Sequence, residues 1–162
     1  MRTLMDLVGR APHVPWVILG LWLIFMTVWQ QYLDWLPVMS AFAWQLVTGL
    51  TLLGFVVYQW ILLLKRMCND TRNARFHMMA HRWVGVAATY MFILHAVRMG
   101  HTWTTGLAMV FFLLGVTGVL NRQVLKYRQP WIHAVWQFCH IGLSAVLLPL
   151  VIVHIWVALA YQ

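Results

Sequence analysis

The chain has 162 residues, of which 63% are apolar and only 9% are charged, and its mean hydropathy is +0.77. Soluble domains carry about 25% charged residues, so this composition excludes a soluble globule. The abundance of large apolar residues, including 11 Trp and 10 Met, excludes a disordered tail as well. The net charge of +8 does not indicate a nucleic-acid binder, because the basic residues stand in short clusters between apolar runs. We therefore predict an integral membrane protein with little material outside the bilayer.

Five apolar runs follow one another along the chain, and each approximates the roughly 20 residues with which a helix crosses a bilayer. The predicted spans cover residues 14–36, 41–64, 78–98, 105–121 and 132–159. The first run is too long for a signal-peptide core and lacks a small-residue cleavage pattern, so we expect it to be retained. The predicted fold is an all-α bundle of five transmembrane helices that forms one domain over 1–162. We expect no flavin or nucleotide domain in it.

The basic residues predict the orientation of the bundle. Ten of the eleven fall on one side of it, which the positive-inside rule makes the cytosolic side. These ten are Arg2, Arg10, Lys65, Arg66, Arg72, Arg75, Arg82, Arg122, Lys126 and Arg128. Only Arg98 falls on the other side, so the N-terminus is predicted inside and the C-terminus outside, in the plasma membrane of a bacterium.

The two cysteines, Cys68 and Cys139, form neither a CxxC nor a CxxCH pattern. A c-type haem attachment and a cysteine-rich zinc site are therefore not supported. We expect no disulfide between them, because Cys68 lies in the basic loop that is predicted to be cytosolic, where thiols stay reduced.

Eight histidines are many for so apolar a chain, and polar residues inside a bilayer are costly enough to suggest a function. The third span carries His81 and His95, and the fifth carries His140 and His154, so each pair is fourteen residues apart. Fourteen helical residues fall about 40° short of four turns and rise about 21 Å, so each pair projects from nearly one face at two depths. Spans three and five run parallel, which puts His81 level with His140 toward the cytosol, and His95 level with His154 toward the outside.

Two facing imidazoles can hold a haem iron from both sides, and axial histidine is a common haem ligand. The pattern therefore predicts two haem b groups, one between His81 and His140 and one between His95 and His154. Zinc is the competing metal, but a structural zinc site requires four compact ligands, and each level offers two histidines and no carboxylate. A lone histidine inside a membrane is more often a hydrogen-bonded interior residue, so the haem interpretation depends on the matched pairs.

Part of the sequence resembles the ferric-reductase-like transmembrane domain family, which includes NADPH oxidases, ferric reductases and the haem subunit of the periplasmic methionine sulfoxide reductase system. The resemblance rests on His81-Arg82-Trp83-Val84-Gly85 through His95, and on Trp131 through His140 to His154. It covers about half of the chain and implies a di-haem cytochrome b in which the four paired histidines are the axial iron ligands. Cytochrome b of the quinol–cytochrome c reductases and the cytochrome b561 group use similar pairs, but the short gap between His95 and His140 favours the ferric-reductase-like arrangement. Family members usually have a sixth span, which we do not expect here.

Two further histidines lie toward the cytosolic ends of the same helices. His77 precedes His81 by one turn, and His133 precedes His140 by about two turns, near the same faces. They are candidates for an electron-donor site or for haem-propionate contacts. The alternative is a pair of interfacial histidines in water.

Two arginines are further candidates for propionate contacts. Arg98 lies one turn beyond His95, and arginine pairs well with carboxylates, although a lipid headgroup or water would serve it too. Arg82 adjoins His81 and suits the inner propionates, although membrane topology alone also explains a basic residue there. His13 is expected to be only a polar residue before Pro15, and Gln30, Gln31 and Asp34 receive no role.

The sequence therefore predicts a transmembrane electron-transfer subunit that passes electrons from a cytosolic-side or quinol donor to an outer-side acceptor or partner subunit. The direction of transfer follows from the family resemblance. No residue resembles a nucleophile or general base, so we expect substrate turnover to belong to a partner. Two alternatives stay open: a quinol-oxidising anchor for a periplasmic redox enzyme, and a non-redox scaffold or proton-path subunit.

Overall fold

The structure is a computed structural model that describes residues 11–30, 42–96, 102–120 and 129–160, with the side chains of 27–30 and 102 left out. This part of the chain forms five α-helices and no strand, so the predicted all-α fold is confirmed for it. The helices are α1 (Val14–Gln30), α2 (Phe42–Met67), α3 (Ala74–His95), α4 (Thr102–Val119) and α5 (Pro130–Ala160). Each one corresponds to one of the five apolar runs in the sequence.

Two of these helices, α2 and α5, are long and apolar enough to cross a membrane. Shorter apolar helical segments cover Val14–Met26 and Trp103–Val119. Length and composition therefore support a membrane protein through two helices of the described chain, whereas five spans stay a prediction.

Large apolar side chains of α5 face outward. Trp131 is 64% exposed, Phe138 is 79% exposed and Trp156 is 62% exposed. A soluble protein rarely exposes so continuous an apolar surface, whereas a bilayer provides the apolar surroundings that such side chains prefer.

The chain divides into two compact units. The N-terminal unit, His13–Arg98, contains α1, α2 and α3, and α3 contacts both of the other helices. Helices α1 and α3 approach closely at Gly20, where an added Cβ would lie 2.6 Å from Cγ2 of Thr89. Small residues at helix contacts are typical of membrane bundles, because they let the backbones come together.

The connection between α2 and α3 is held by polar contacts around Asp70. Its carboxylate accepts hydrogen bonds from Nζ of Lys65 at 2.9 Å and from the backbone N–H of Arg72 at 2.9 Å. The Lys65 hydrogen bond, followed by the Arg72 N–H, holds the pKa of Asp70 below its usual range. Asn69 and Asn73 adopt left-handed backbone conformations, which asparagine tolerates better than most residues. These contacts fix a tight turn between two helices that run in opposite directions.

The C-terminal unit contains α4 and α5, which contact each other along their lengths. Thr117 near the end of α4 meets His140 in the first half of α5, and Leu107 and Leu150 line one groove. The two helices are therefore antiparallel. Pro149 lies inside α5, yet the helix continues to Ala160.

Candidate functional site

The four histidines predicted to ligate haem lie on two continuous helices. α3 carries His81 and ends at His95, and α5 carries His140 and His154. All four side chains are half-buried. Because α3 and α5 belong to different units, the pairing of His81 with His140 and of His95 with His154 stays a prediction from the spacing.

In the N-terminal unit, α2 forms a fitted surface for the imidazole of His95. Nδ1 of His95 lies 3.3 Å from Oγ1 of Thr48, a side chain that is only 4% exposed. The ring packs directly on Gly49, where an added Cβ would lie 2.9 Å from Cε1 of His95. We call Thr48, Gly49 and His95 the His95 site.

In the C-terminal unit, α4 contacts His140 through the same dipeptide. Nδ1 of His140 lies 2.9 Å from Oγ1 of Thr117. A Cβ added to Gly118 would lie 3.7 Å from Cε1 of His140, which is an ordinary contact distance. We call Thr117, Gly118 and His140 the His140 site.

The backbone hydrogen bonds of the two threonine hydroxyls favour one tautomer of each imidazole. A hydroxyl has one proton to donate, and each of these donates it to its own helix: Thr48 to the carbonyl of Trp44 at 2.8 Å, and Thr117 to the carbonyl of Leu114 at 2.9 Å. With that proton donated to the backbone, each Oγ1 is assigned as an acceptor toward the histidine, and the proton of each neutral ring is assigned to Nδ1. This assignment from the hydrogen-bond network places the lone pair of both rings on Nε2.

A tryptophan ties the two helices together beside each site. The indole N–H of Trp44 donates to the carbonyl of Leu94 at 3.0 Å, and that of Trp136 donates to the carbonyl of Thr117 at 2.6 Å. Both carbonyls lie in the last turn of a helix, where an α-helix leaves them without an internal partner. Each indole therefore completes the end of the helix that its site depends on.

His133 is connected to the His140 site by aromatic stacking. Its ring stacks on Trp136 with centroids 5.4 Å apart and planes 15° apart, and Trp136 stacks on His140 with centroids 5.7 Å apart and planes 11° apart. His77 instead meets Phe76 edge to face, with centroids 5.5 Å apart. The structure thus links one of the two candidate donor-site histidines to a predicted ligand.

The other two predicted ligands have different surroundings. The backbone carbonyl of His81 accepts a hydrogen bond from Nε2 of Gln59 at 3.0 Å. His154 lies one turn beyond Leu150, which lines an open apolar groove of about 380 Å³ between α4 and α5. Both residues lie in helices, as the sequence predicts.

His13, which the sequence predicts to be only a polar residue before Pro15, is buried in the structure. Its side chain is only 5% exposed, at the start of α1. Burial, and then the positive charge of Arg82, keep the pKa of His13 below its usual range. Arg82 is half-buried on α3. Among the described residues, the carboxylate is that of Asp70, and it forms a salt bridge with Lys65. Arg82 therefore has no carboxylate partner in the described part of the chain.

Several residues that the sequence analysis singled out lie outside the described residues, among them Arg98, Gln31 and Asp34. Cys68 and Cys139 are both free and exposed. Within the described chain, no group of three or more His, Cys, Asp or Glu side chains is placed to hold a metal ion. A bis-His haem site needs only two such side chains, because the porphyrin supplies the other iron ligands.

Sequence reasoning did not find Thr48, Thr117 or Trp136. The spacing of Trp136 from His133 and His140, three and four residues, could have placed it on their face of the helix. The threonines lie on other helices, and only the packing register brings them to the histidines. Comparison of the chain with protein-family models, with curated proteins and with solved structures finds no significant match.

Proposed function

We propose that this protein is a transmembrane electron-transfer subunit that binds two b-type haems through His81, His140, His95 and His154. The observation that carries the proposal is the hydrogen bond between Nδ1 and a threonine hydroxyl, which both His95 and His140 make. With Nδ1 in contact with the hydroxyl, Nε2 is the nitrogen through which each ring would coordinate iron, and metal-ligating histidines commonly bind metal through one nitrogen while the other donates a hydrogen bond.

The distribution of these two histidines supports the predicted pairing. His95 belongs to the predicted outer haem and His140 to the predicted inner one, so a threonine would orient at least one of the two histidines that would hold each haem. A purely structural histidine in a membrane would be satisfied by any polar neighbour. Two Thr-Gly dipeptides that present the same acceptor to the two rings favour a shared role.

When bound, the haems would supply one-electron carriers within the low-dielectric interior of the membrane. The chain's own residues would hold and orient them. His95 and His140 would coordinate through Nε2, while Thr48 and Thr117 would prevent ring rotation. The indoles of Trp44 and Trp136 would keep the helix ends in register, and exposed apolar side chains of α5 would face lipid.

We also propose a five-span bundle in the bacterial cytoplasmic membrane with its N-terminus in the cytosol. The distribution of ten of eleven basic residues on one side supports this orientation. A quinol or a cytosolic reductase would donate electrons at the inner haem. The stack of His133 on Trp136 lies at the predicted cytosolic end of α5 and supports a donor site there. An outer-side partner subunit would accept the electrons and carry out any substrate chemistry.

The first experiment measures haem content and the reduced-minus-oxidised spectrum of the purified protein. We expect two b-type haems per chain in the wild type and at least one fewer in His95→Leu and in His140→Leu. The matched control is Cys139→Leu, which changes an exposed side chain next to His140 on α5 and should retain both haems. A wild-type protein that is folded and reconstituted with haem, yet shows no b-type spectrum, would falsify the proposal.

A further inference from the structure

We propose that Thr48 and Thr117 are positioning residues that set the ligand strength of His95 and His140, and through it the reduction potentials of the two haem sites. This inference rests on the proposed function. It assigns a role to residues that lie on neither of the ligand-bearing helices.

Each threonine hydroxyl has an acceptor in the backbone of its own helix. The Oγ1 of Thr48 donates to the carbonyl of Trp44 at 2.8 Å and also lies 3.3 Å from that of Gln45. Thr117 donates to the carbonyl of Leu114 at 2.9 Å. When its proton is donated to the helix backbone, each hydroxyl accepts from Nδ1–H, and in this way the backbone of one helix favours one tautomer of a histidine on another.

The glycine after each threonine lets the imidazole come close enough to contact the threonine hydroxyl. At position 49 an added Cβ would lie 2.9 Å from Cε1 and 3.3 Å from Nδ1 of His95. Any larger residue would therefore push the imidazole away from Oγ1 of Thr48. Gly118 leaves more room, because a Cβ added there would lie 3.7 Å from Cε1 of His140.

The hydrogen bond has an electronic consequence as well as a geometric one. Donation from Nδ1–H raises the basicity of the imidazole, and a more basic axial ligand favours the more positively charged ferric iron. Loss of the acceptor should therefore raise the potential of the site concerned. The effect should be larger at His140, because its Nδ1 to Oγ1 distance is 2.9 Å against 3.3 Å at His95.

The test is a potentiometric titration of the haem-loaded full-length protein, with low-temperature electron paramagnetic resonance of the ferric form. The variants are Thr48→Val and Thr117→Val, which remove the acceptor at nearly constant volume. Thr48→Ser and Thr117→Ser retain it. Thr51→Val is the matched control, since Oγ1 of Thr51 donates to the carbonyl of Val47 on the same helix and is exposed.

We expect each valine variant to raise the reduced-to-oxidised ratio of one haem several-fold at a fixed potential and to change its low-spin ferric signal. The serine variants should restore both readouts, and Thr51→Val should leave them unchanged. If a valine variant loses its haem while the serine variant keeps it, the positioning role is supported by occupancy instead.

Three results would overturn the inference. Wild-type-like potentials and ferric signals in both valine variants would show that the hydroxyls do not act on the ligands, although the haems themselves are present. Equal losses in the valine and serine variants would indicate packing alone. A wild-type protein without haem would remove the proposed function, and this inference with it.

Discussion

Each of the two units of this protein holds a histidine ring between two helices, but the contacts that hold the ring differ. In each, a Thr-Gly dipeptide on one helix holds an imidazole on the next, and an indole N–H completes a helix end beside it. At His95 the glycine contact is very close and the hydrogen bond is 3.3 Å long. At His140 the glycine contact is ordinary, the hydrogen bond is 2.9 Å long, and Trp136 stacks on the ring.

The difference lies in what restrains each ring. The His95 ring is held mainly by shape, because Gly49 leaves it no space to move toward α2. The His140 ring is held by a shorter hydrogen bond and by an aromatic neighbour on its own helix. The first site should therefore respond most to added volume, and the second to loss of Trp136.

The largest expected effect concerns the side of the membrane on which each site lies. The proposed topology puts the His140 site near the cytosol and the His95 site near the outside, with the exposed Cys68 in a cytosolic loop. A membrane-impermeant maleimide should label Cys68 in inverted vesicles and not in intact spheroplasts. Because Cys139 lies within α5, it should stay unlabelled in both.

The controls for this labelling are Cys68→Ser and Cys139→Ser, each of which leaves one thiol. Signal in Cys139→Ser and none in Cys68→Ser identifies the reactive residue. Labelling of Cys68 in intact spheroplasts would reverse the orientation and exchange the leaflets of the two sites. The electron donor would then have to act from the outside.

The next largest effect is the loss of stability when Trp136 is replaced, which should exceed the loss when Trp44 is replaced. Trp136→Leu removes an indole hydrogen bond worth about 1 kcal/mol and two stacking contacts worth about 0.5–1.5 kcal/mol each. Trp136→Phe should restore much of this loss, because a phenyl ring still stacks on His133 and His140. The free energy of unfolding of both variants is measured in mixed detergent micelles, with circular dichroism as the signal.

Trp44→Phe provides the comparison in the other unit. It removes the hydrogen bond to the Leu94 carbonyl, so we expect a loss of about 1 kcal/mol. If Trp136→Leu destabilises the protein no more than Trp44→Phe does, stacking contributes little to the His140 site. The contrast between the two units would then reduce to the two hydrogen-bond lengths.

The sequence predicted the helices well because apolar runs of membrane length leave few alternatives. The fifth span was predicted over 132–159 and the helix covers Pro130–Ala160. The positions of the four paired histidines on α3 and α5 follow from the same pattern. The roles of Thr48 and Thr117 could not be predicted in this way. Their contacts depend on the packing register between helices, and the periodicity of a single helix carries no information about that register. The burial of His13 depends on how α1 lies on α3, and no local pattern reports that.

The smallest expected effect compares single methyl groups at glycines. Gly54→Ala on α2 should stabilise the protein by about 0.5–1 kcal/mol, because its Cβ would meet nothing within 4 Å and alanine favours helix. Gly118→Ala should behave similarly, since 3.7 Å to His140 is ordinary contact. Gly49→Ala has the same helical gain, but its Cβ must displace the His95 ring, and overpacking costs about 1–3 kcal/mol. The free energy of unfolding in detergent micelles should therefore be lower for Gly49→Ala than for the other two variants. The ferric signal of the haem proposed at His95 should change in Gly49→Ala alone, and equal behaviour of all three variants would mean that shape does not restrain His95.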